Sequence, residues 1–548
     1  MTELPAINAI APGTLHQKLL DKGELALIDV REIRPYSHGH LLHAIPLPLP
    51  RLELMVEDLI PCKKALVVVC DGGEPDLDKP GMGVRAARRL TELGYSSVVM
   101  LEGGAAAWLA AGYELFDGVN VPSKAFGEFI EEHEQTPSIS ADELKRMQDE
   151  GEDMILLDSR PEEEFHMLSL PGGICCPGGE LAYRLHEAVP STETTVVVNC
   201  AGRTRSIIGC QSLINASIPN KVVALRNGVM GWHLAGHQIV QGRTEKVPAP
   251  GSEAQGKAEQ SARDVAARFG VQTLSMQTLQ QWRAERDSSS LYVLDVRTLQ
   301  EFEQDRLPDA THAPGGQLVQ NTDLYVGVRN ARLVLVDSEH VRAVFAASWL
   351  MQMGKNNVYV LEQGWQDEPT VSGVREKPVL GLDQAQCDFI APAVLQVAQR
   401  EGNVQLLDVS LSNEYQKQHI DGAWFVPRAR LAAALKNIPT ADLYVLTSSD
   451  GATAQLTAPE LASAIDKPVK VLAFGNKGWV EAGNVLVSGE GRQSLRPDDM
   501  WQIPFLPDPY TGKSAEDNMR EYLSWEVELI KQIDRDGTSD FRHYPAKS

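Results

Sequence analysis

The chain has 548 residues, 43% of them hydrophobic, and a formal net charge of −23. At about 150 residues per domain that length calls for three to five domains, and the acidic balance excludes phosphate-backbone binding as a general role, so no nucleic-acid partner is expected. No run of about 18 apolar residues occurs, which excludes a transmembrane helix and a membrane role. Met1-Thr2-Glu3-Leu4-Pro5 lacks a basic region and an apolar core, so no signal peptide is expected. The cysteines are Cys62, Cys70, Cys175, Cys176, Cys200, Cys210 and Cys387. This odd, sparse set forms no disulfide framework and no paired CxxC, so the expectation is a reducing cytoplasm and no metal or cofactor.

One pattern recurs four times. Each copy opens with an apolar strand ending in Asp: Leu27-Ile28-Asp29-Val30-Arg31, Leu156-Leu157-Asp158-Ser159-Arg160, Val293-Leu294-Asp295-Val296-Arg297 and Leu406-Leu407-Asp408-Val409-Ser410. A helical piece with an aromatic follows, at Tyr36, Phe165, Phe302 and Tyr415, and then a turn such as Ser169-Leu170-Pro171-Gly172-Gly173. A second apolar strand ends at a loop position read as Cys70, Cys200, Asp337 and, in the last copy, Ser448 or a near neighbour. Each copy closes on a further strand and a Gly–Trp turn, with Trp108, Trp232, Trp365 and Trp479. Strands alternating with helices predict an α/β fold, each copy a parallel sheet flanked by helices, with ligands at the C-terminal strand ends.

The predicted domains are 1–120, 136–242, 270–373 and 382–491, followed by a C-terminal extension, 492–548. Glu128 to Gln135 reads as an acidic helical connector, and Ser138 to Glu143 as the capped start of copy two. Gln241 to Gln260, with Pro248, Pro250, Gly251 and Gly256, is the best linker candidate. In the extension, Pro504, Pro507 and Pro509 predict an extended segment. Met519-Tyr522-Leu523-Val527-Ile530-Ile533 predicts an amphipathic helix covered by a neighbouring domain or a second subunit. A homodimer stays an open option.

The chemistry centres on Val196-Val197-Val198-Asn199-Cys200-Ala201-Gly202-Arg203-Thr204-Arg205-Ser206. A buried strand stops at a cysteine, a short loop with two arginines follows, and Ser206 opens a helix. Loop amides, the helix dipole and two guanidiniums all favour thiolate over thiol, and the thiolate is the nucleophile. The bland alternative is a buried structural cysteine.

The four-fold pattern resembles the rhodanese sulfurtransferases, through the strand-terminal Asp-x-Arg, the turn after the aromatic, the Cys-bearing loop before a helix, and the closing Gly–Trp turn. It looks like a tandem four-rhodanese protein to about residue 490. The resemblance implies a sulfur shuttle: Cys200 takes a sulfane sulfur from thiosulfate or a persulfide donor and passes it to cyanide, a thiol or a sulfur-acceptor protein. It also implies a six-residue loop, Cys200 to Arg205, whose amides cradle the outer sulfur. The substrate-binding candidates are therefore Ala201, Gly202, Arg203, Thr204 and Arg205. Arg203 and Arg205 suit an anionic donor, with salt bridges to nearby carboxylates as the alternative.

Asp158 with Arg160 reads as a structural pair, and Arg184 as a residue within reach of the site mouth. Cys175 and Cys176 read as buried fillers, with a sulfur relay as the alternative. Asp337 cannot hold a persulfide, and copy four offers Ser448-Ser449-Asp450 without a base. Cys70 stands ten residues further from Arg85 than Cys200 from Arg205, and the insert carries Glu74, Asp76 and Asp78, so Cys70 is expected to be inert or auxiliary. The rival readings are a Cys-dependent phosphatase or arsenate reductase, and a non-catalytic persulfide carrier or scaffold.

Overall fold

The computed structural model describes residues 7–73, 81–189, 191–362 and 365–545. Met1–Pro5, the insert residues Glu74, Asp76 and Asp78, and Gln363 and Gly364 of the third Gly–Trp turn lie outside the described residues. Each of the four repeats is an α/β domain built on its own sheet. In the second repeat the strand order is Ser138–Ile139, Val222–Leu225, Thr195–Asn199, Met154–Asp158 and Gly173–Cys175, all parallel. The third repeat repeats this order with Gln272–Leu274, Val358–Leu361, Arg332–Val336, Leu291–Asp295 and Thr311–His312. The β-branched run Val196–Val198 is fully buried at the centre of its sheet, as a strand covered on both faces requires.

Asp29, Asp158, Asp295 and Asp408 are each the last residue of their strand. Three of the closing tryptophans do the same structural task. Trp108, Trp232 and Trp479 are buried and donate their indole N–H to the carbonyls of Glu114, Gln238 and Val485, six residues on in every case.

The chain divides into two compact units. Residues up to 15, 26–119 and 376–501 form one, and residues 16–25, 120–375 and 502 onward form the other. Within the first, Arg428 of the fourth repeat donates to Glu53 and to the Pro50 carbonyl of the first. Within the second, the stretch read as a linker is half helix. Ser252–Phe269 packs against the helices Leu181–Ala188 and Val341–Gln352 through buried Ala254, Ala258, Ala262, Val265 and Phe269. A stripe of alanines carries little hydrophobic signal, and its close packing is visible only in three dimensions.

Two other expected elements form as read. Ser140 caps the Ala141–Glu150 helix, its hydroxyl accepting from the Glu143 N–H at 3.1 Å. The acidic connector belongs to a helix, Val121–Glu134, which lies between the helix after the Cys200 loop and the C-terminal helix. That last helix runs Ala515–Asp536 and packs on the second repeat, with Met519 and Leu523 against Met230. Its buried face differs from the expected one: Glu526 and Leu529 are buried, while Val527 is 47% exposed.

Candidate active site

Hydrogen bonds between the two central strands fix which residue of each repeat occupies the loop position. The N–H of the residue after the strand-terminal Asp donates to the last carbonyl of the neighbouring strand. These pairs are Val30 to Cys70, Ser159 to Asn199, Val296 to Val336 and Val409 to Thr447, at 2.8–3.1 Å. The next residue is the loop position, so the four equivalents are Asp71, Cys200, Asp337 and Ser448. Cys70 is therefore one residue short of the position assigned to it by reading, and it ends the strand as Asn199 does. The closing turn agrees: Ala105, Val229 and Asn476 donate their N–H to the carbonyls of Asp71, Cys200 and Ser448. Glycine is required there. A Cβ on Gly228 (φ +53°) would lie 2.3 Å from the Cys200 carbonyl oxygen, and one on Gly475 (φ +58°) 2.3 Å from that of Ser448.

The other loops show what the cradle holds. Asp337 places Oδ2 where it accepts the N–H groups of Arg342 and Ala343, at 2.8 and 3.3 Å. Ser448 Oγ accepts the Ala454 N–H at 3.2 Å. Asp71 accepts the N–H of Gly73 at 2.9 Å and of Gly83 at 3.2 Å. In these three repeats an oxygen fills the donor nest at the start of the following helix, where the dipole favours negative charge. In the second repeat a sulfur takes that place.

Cys200 follows the Thr195–Asn199 strand, and the next helix starts at Thr204, two residues before the expected Ser206. Its thiol is 1% exposed and donates to Ser206 Oγ at 3.5 Å. Burial pushes the thiol above the ordinary range and Glu526 adds to this, while Arg205 and both the hydroxyl and the N–H of Ser206 pull it down. The net direction is upward, opposite to the expectation from loop amides and arginines alone. Desolvation outweighs them while the site is covered.

Both arginines are held by carboxylates. Arg203 makes a fork on Glu128 with two 2.7 Å bonds, reaches Glu131, and donates to Asn227 Oδ1 at 3.2 Å. Arg205 makes a fork on Glu164 at 2.7 and 2.8 Å. The third repeat carries the same pair, Arg342 on Glu301 at 2.8 and 3.0 Å, with each residue at the same offset from its strand end. The fork thus persists in a repeat without a nucleophile, as a scaffold contact would. Ala201 accepts the Met230 N–H at 3.0 Å through its carbonyl. Thr204 donates its hydroxyl to Glu526 at 2.9 Å, and Gly202 faces Tyr522 and Glu526.

Asp158 and Arg160 form a buried fork at 2.7 and 2.8 Å, and Arg160 also donates to the Leu168 carbonyl. Asp29–Arg31 and Asp295–Arg297 repeat it, which makes the pair structural. Arg184 is taken up by Glu180 and the Val247 carbonyl. Cys175 and Cys176 are buried free thiols, and burial pushes Cys175 up to about 12. Reading missed Glu128, Glu164, Tyr522 and Glu526. Glu164 was findable, because Glu301 stands at the same place in the third repeat. Glu526 was not, because it interrupts an apolar face.

The rhodanese-like domain model matches residues 12–111, 140–235, 275–367 and 391–482. Among solved structures, a thiosulfate sulfurtransferase from Pseudomonas aeruginosa is similar along 98% of this chain and 100% of its own, with 42% sequence identity and a TM-score of 0.93. A sulfurtransferase of Allochromatium vinosum is 27% identical over 106 residues, which is 19% of this chain and 92% of that protein.

Proposed function

The chain belongs to the rhodanese-like family, and from that premise we propose that it moves a sulfane sulfur from thiosulfate or a similar anionic donor to cyanide or a thiol, through a persulfide on Cys200. The observation that carries the reading is the single sulfur among the four equivalent loop positions, set in a nest that holds oxygen in the other three. The likeness to the Pseudomonas aeruginosa enzyme supports thiosulfate as the donor.

The chemistry follows from the site. Water reaching the site relieves the desolvation that raises the thiol, and the thiol gives up its proton to that solvent. The Cys200 thiolate then attacks the outer sulfur of thiosulfate. The S–S bond breaks, sulfite leaves with its electron pair, and a persulfide remains on Cys200. Arg205 and the Ser206 N–H stabilise negative charge there. Attack by cyanide or a thiolate on the outer sulfur expels Cys200 as thiolate and completes a two-step, ping-pong cycle.

The test is thiocyanate release from thiosulfate and cyanide by the full chain and by Cys200→Ser, with phosphate release from an aryl phosphate as the control. Turnover that needs Cys200, without phosphate release, supports the reading. Phosphate release would favour the phosphatase reading, although a fork-held Arg205 five residues after the cysteine leaves it no free guanidinium. The carrier reading gains from the 1% exposure of Cys200. Its signature is a stoichiometric persulfide that turns over only with an acceptor protein.

A further inference from the structure

Glu526 lies outside the four family-model matches, on the C-terminal helix, yet it sits against the Cys200 loop. It is 1% exposed. Its Oε1 accepts the Thr204 hydroxyl at 2.9 Å and the Tyr522 hydroxyl at 3.3 Å. Its Oε2 is buried without a hydrogen-bond partner. That oxygen faces the loop: a Cβ placed on Gly202 would stand 3.3 Å from it. The same helix buries Met519, Leu523, Leu529 and Ile533. An apolar residue at 526 would cover the loop without leaving a buried carboxyl oxygen unmatched.

We propose that Glu526 is a specificity-determining residue of the Cys200 site, admitting anionic sulfur donors to the loop as the neutral acid and repelling them once ionised. This rests on the reading that Cys200 carries the sulfur. The acid form presents an O–H toward the nest, and the ionised form sets a negative charge beside an anion that the nest is built to receive. The groups around Glu526 come from four elements. Lys124 and Glu128 face it from the Val121–Glu134 helix, Arg203, Thr204 and Cys200 from the loop and the helix that follows, and Tyr522 from its own helix. Arg205 lies close to Tyr522 and Lys124. Burial raises the Glu526 carboxyl, and Glu128 adds to this against Lys124, Thr204 and Arg203. The cation that would neutralise it is itself weakened: burial brings the Lys124 amine down to about 8, over the rings of Tyr522 and Trp525 at 5.1 and 4.9 Å.

The test needs no sulfur transfer. Cys200 in the full chain is alkylated with iodoacetate, an anion, and with iodoacetamide, which is uncharged, and the two rates are read at the Cys200 peptide across pH. Their ratio cancels thiol ionisation and leaves the charge met by the reagent. The ratio should fall as pH rises in the wild type. In Glu526→Gln the fall should shrink to what Lys124 alone contributes, and at the alkaline end the ratio should lie about tenfold above the wild type. Tyr522→Phe removes a donor to the ionised form and should move the fall to higher pH. An unchanged ratio and slope in Glu526→Gln would overturn the proposal, because the pH dependence would then belong to Lys124 or another group. Failure of both reagents to reach Cys200 in either protein would overturn it as well, since no donor could then meet Glu526. Thiosulfate turnover is scored separately. Its absence, beside a ratio that responds to Glu526→Gln, would count against the proposed activity and not against the charge effect.

Discussion

Thr204 donates its hydroxyl to Glu526 at 2.9 Å, although the two lie 322 residues apart in the chain. This bond and the burial of Met519 and Leu523 against Met230 hold the C-terminal helix over the loop that carries the thiol. Leu523→Ala should therefore act at a distance in sequence. It should lower stability by about 2–3 kcal/mol and speed modification of Cys200. Thermal unfolding and the rate of thiol labelling check both. A labelling rate equal to wild type would mean that the helix does not control access.

Positions 200 and 337 are equivalent in the fold but differ in what depends on them. The Asp337 carboxylate is fully buried and takes two backbone N–H groups together with the Arg342 guanidinium. Asp337→Ala should destabilise by about 2–3 kcal/mol, because it leaves two buried backbone N–H groups without an acceptor, while Arg342 keeps its fork on Glu301. Cys200→Ala should cost within about 1 kcal/mol. Urea unfolding of the two variants measures the contrast. Equal losses would imply that Cys200 is itself a packing residue.

Arg203 is bound on three sides by Glu128, Glu131 and Asn227. Arg203→Ala should lower stability by about 3 kcal/mol by leaving Glu128 buried and unpaired, and Glu128→Gln in the same chain should recover much of that loss. The same variants report on substrate. A variant that folds as well as wild type while its KM for thiosulfate rises would place the guanidinium on the donor instead.

Glu32 gives the first unit a pH dependence of known sign. Burial, with Asp498 and Asp499 nearby, raises its carboxyl to about 8. A carboxyl that is more basic when folded binds protons preferentially in the folded state. Its contribution is full below the unfolded value near 4.5 and is lost as pH rises through about 8. Glu32→Gln should thus gain thermal stability over wild type as pH rises across that interval. A difference in midpoint that is constant from pH 5 to 9 would contradict the assignment.

The parts of this molecule that reading recovers are those written in adjacent residues. Strand-terminal Asp29, Asp158, Asp295 and Asp408 announce four sheets, and the run from Val196 to Ser206 announces the strand, loop and helix around Cys200. What reading misses is set by partners far away. The offset between Cys70 and Asp71 depends on the bond from Val30, not on the local string. Burial raises the Cys200 thiol and Glu526, on a helix beyond the repeats, adds to this, so amides and arginines alone gave the wrong sign. The Ala254, Ala258 and Ala262 stripe owes its helix to close packing, which composition does not reveal.

The most direct measurement is mass spectrometry of peptides from the full chain after incubation with thiosulfate. One added sulfur atom should map to the Cys200 peptide, leave as thiocyanate on addition of cyanide, persist in Cys70→Ser and be absent from Cys200→Ser. Added sulfur on the Cys70 or Cys175–Cys176 peptide in its place, or thiocyanate turnover that survives Cys200→Ser, would contradict the account.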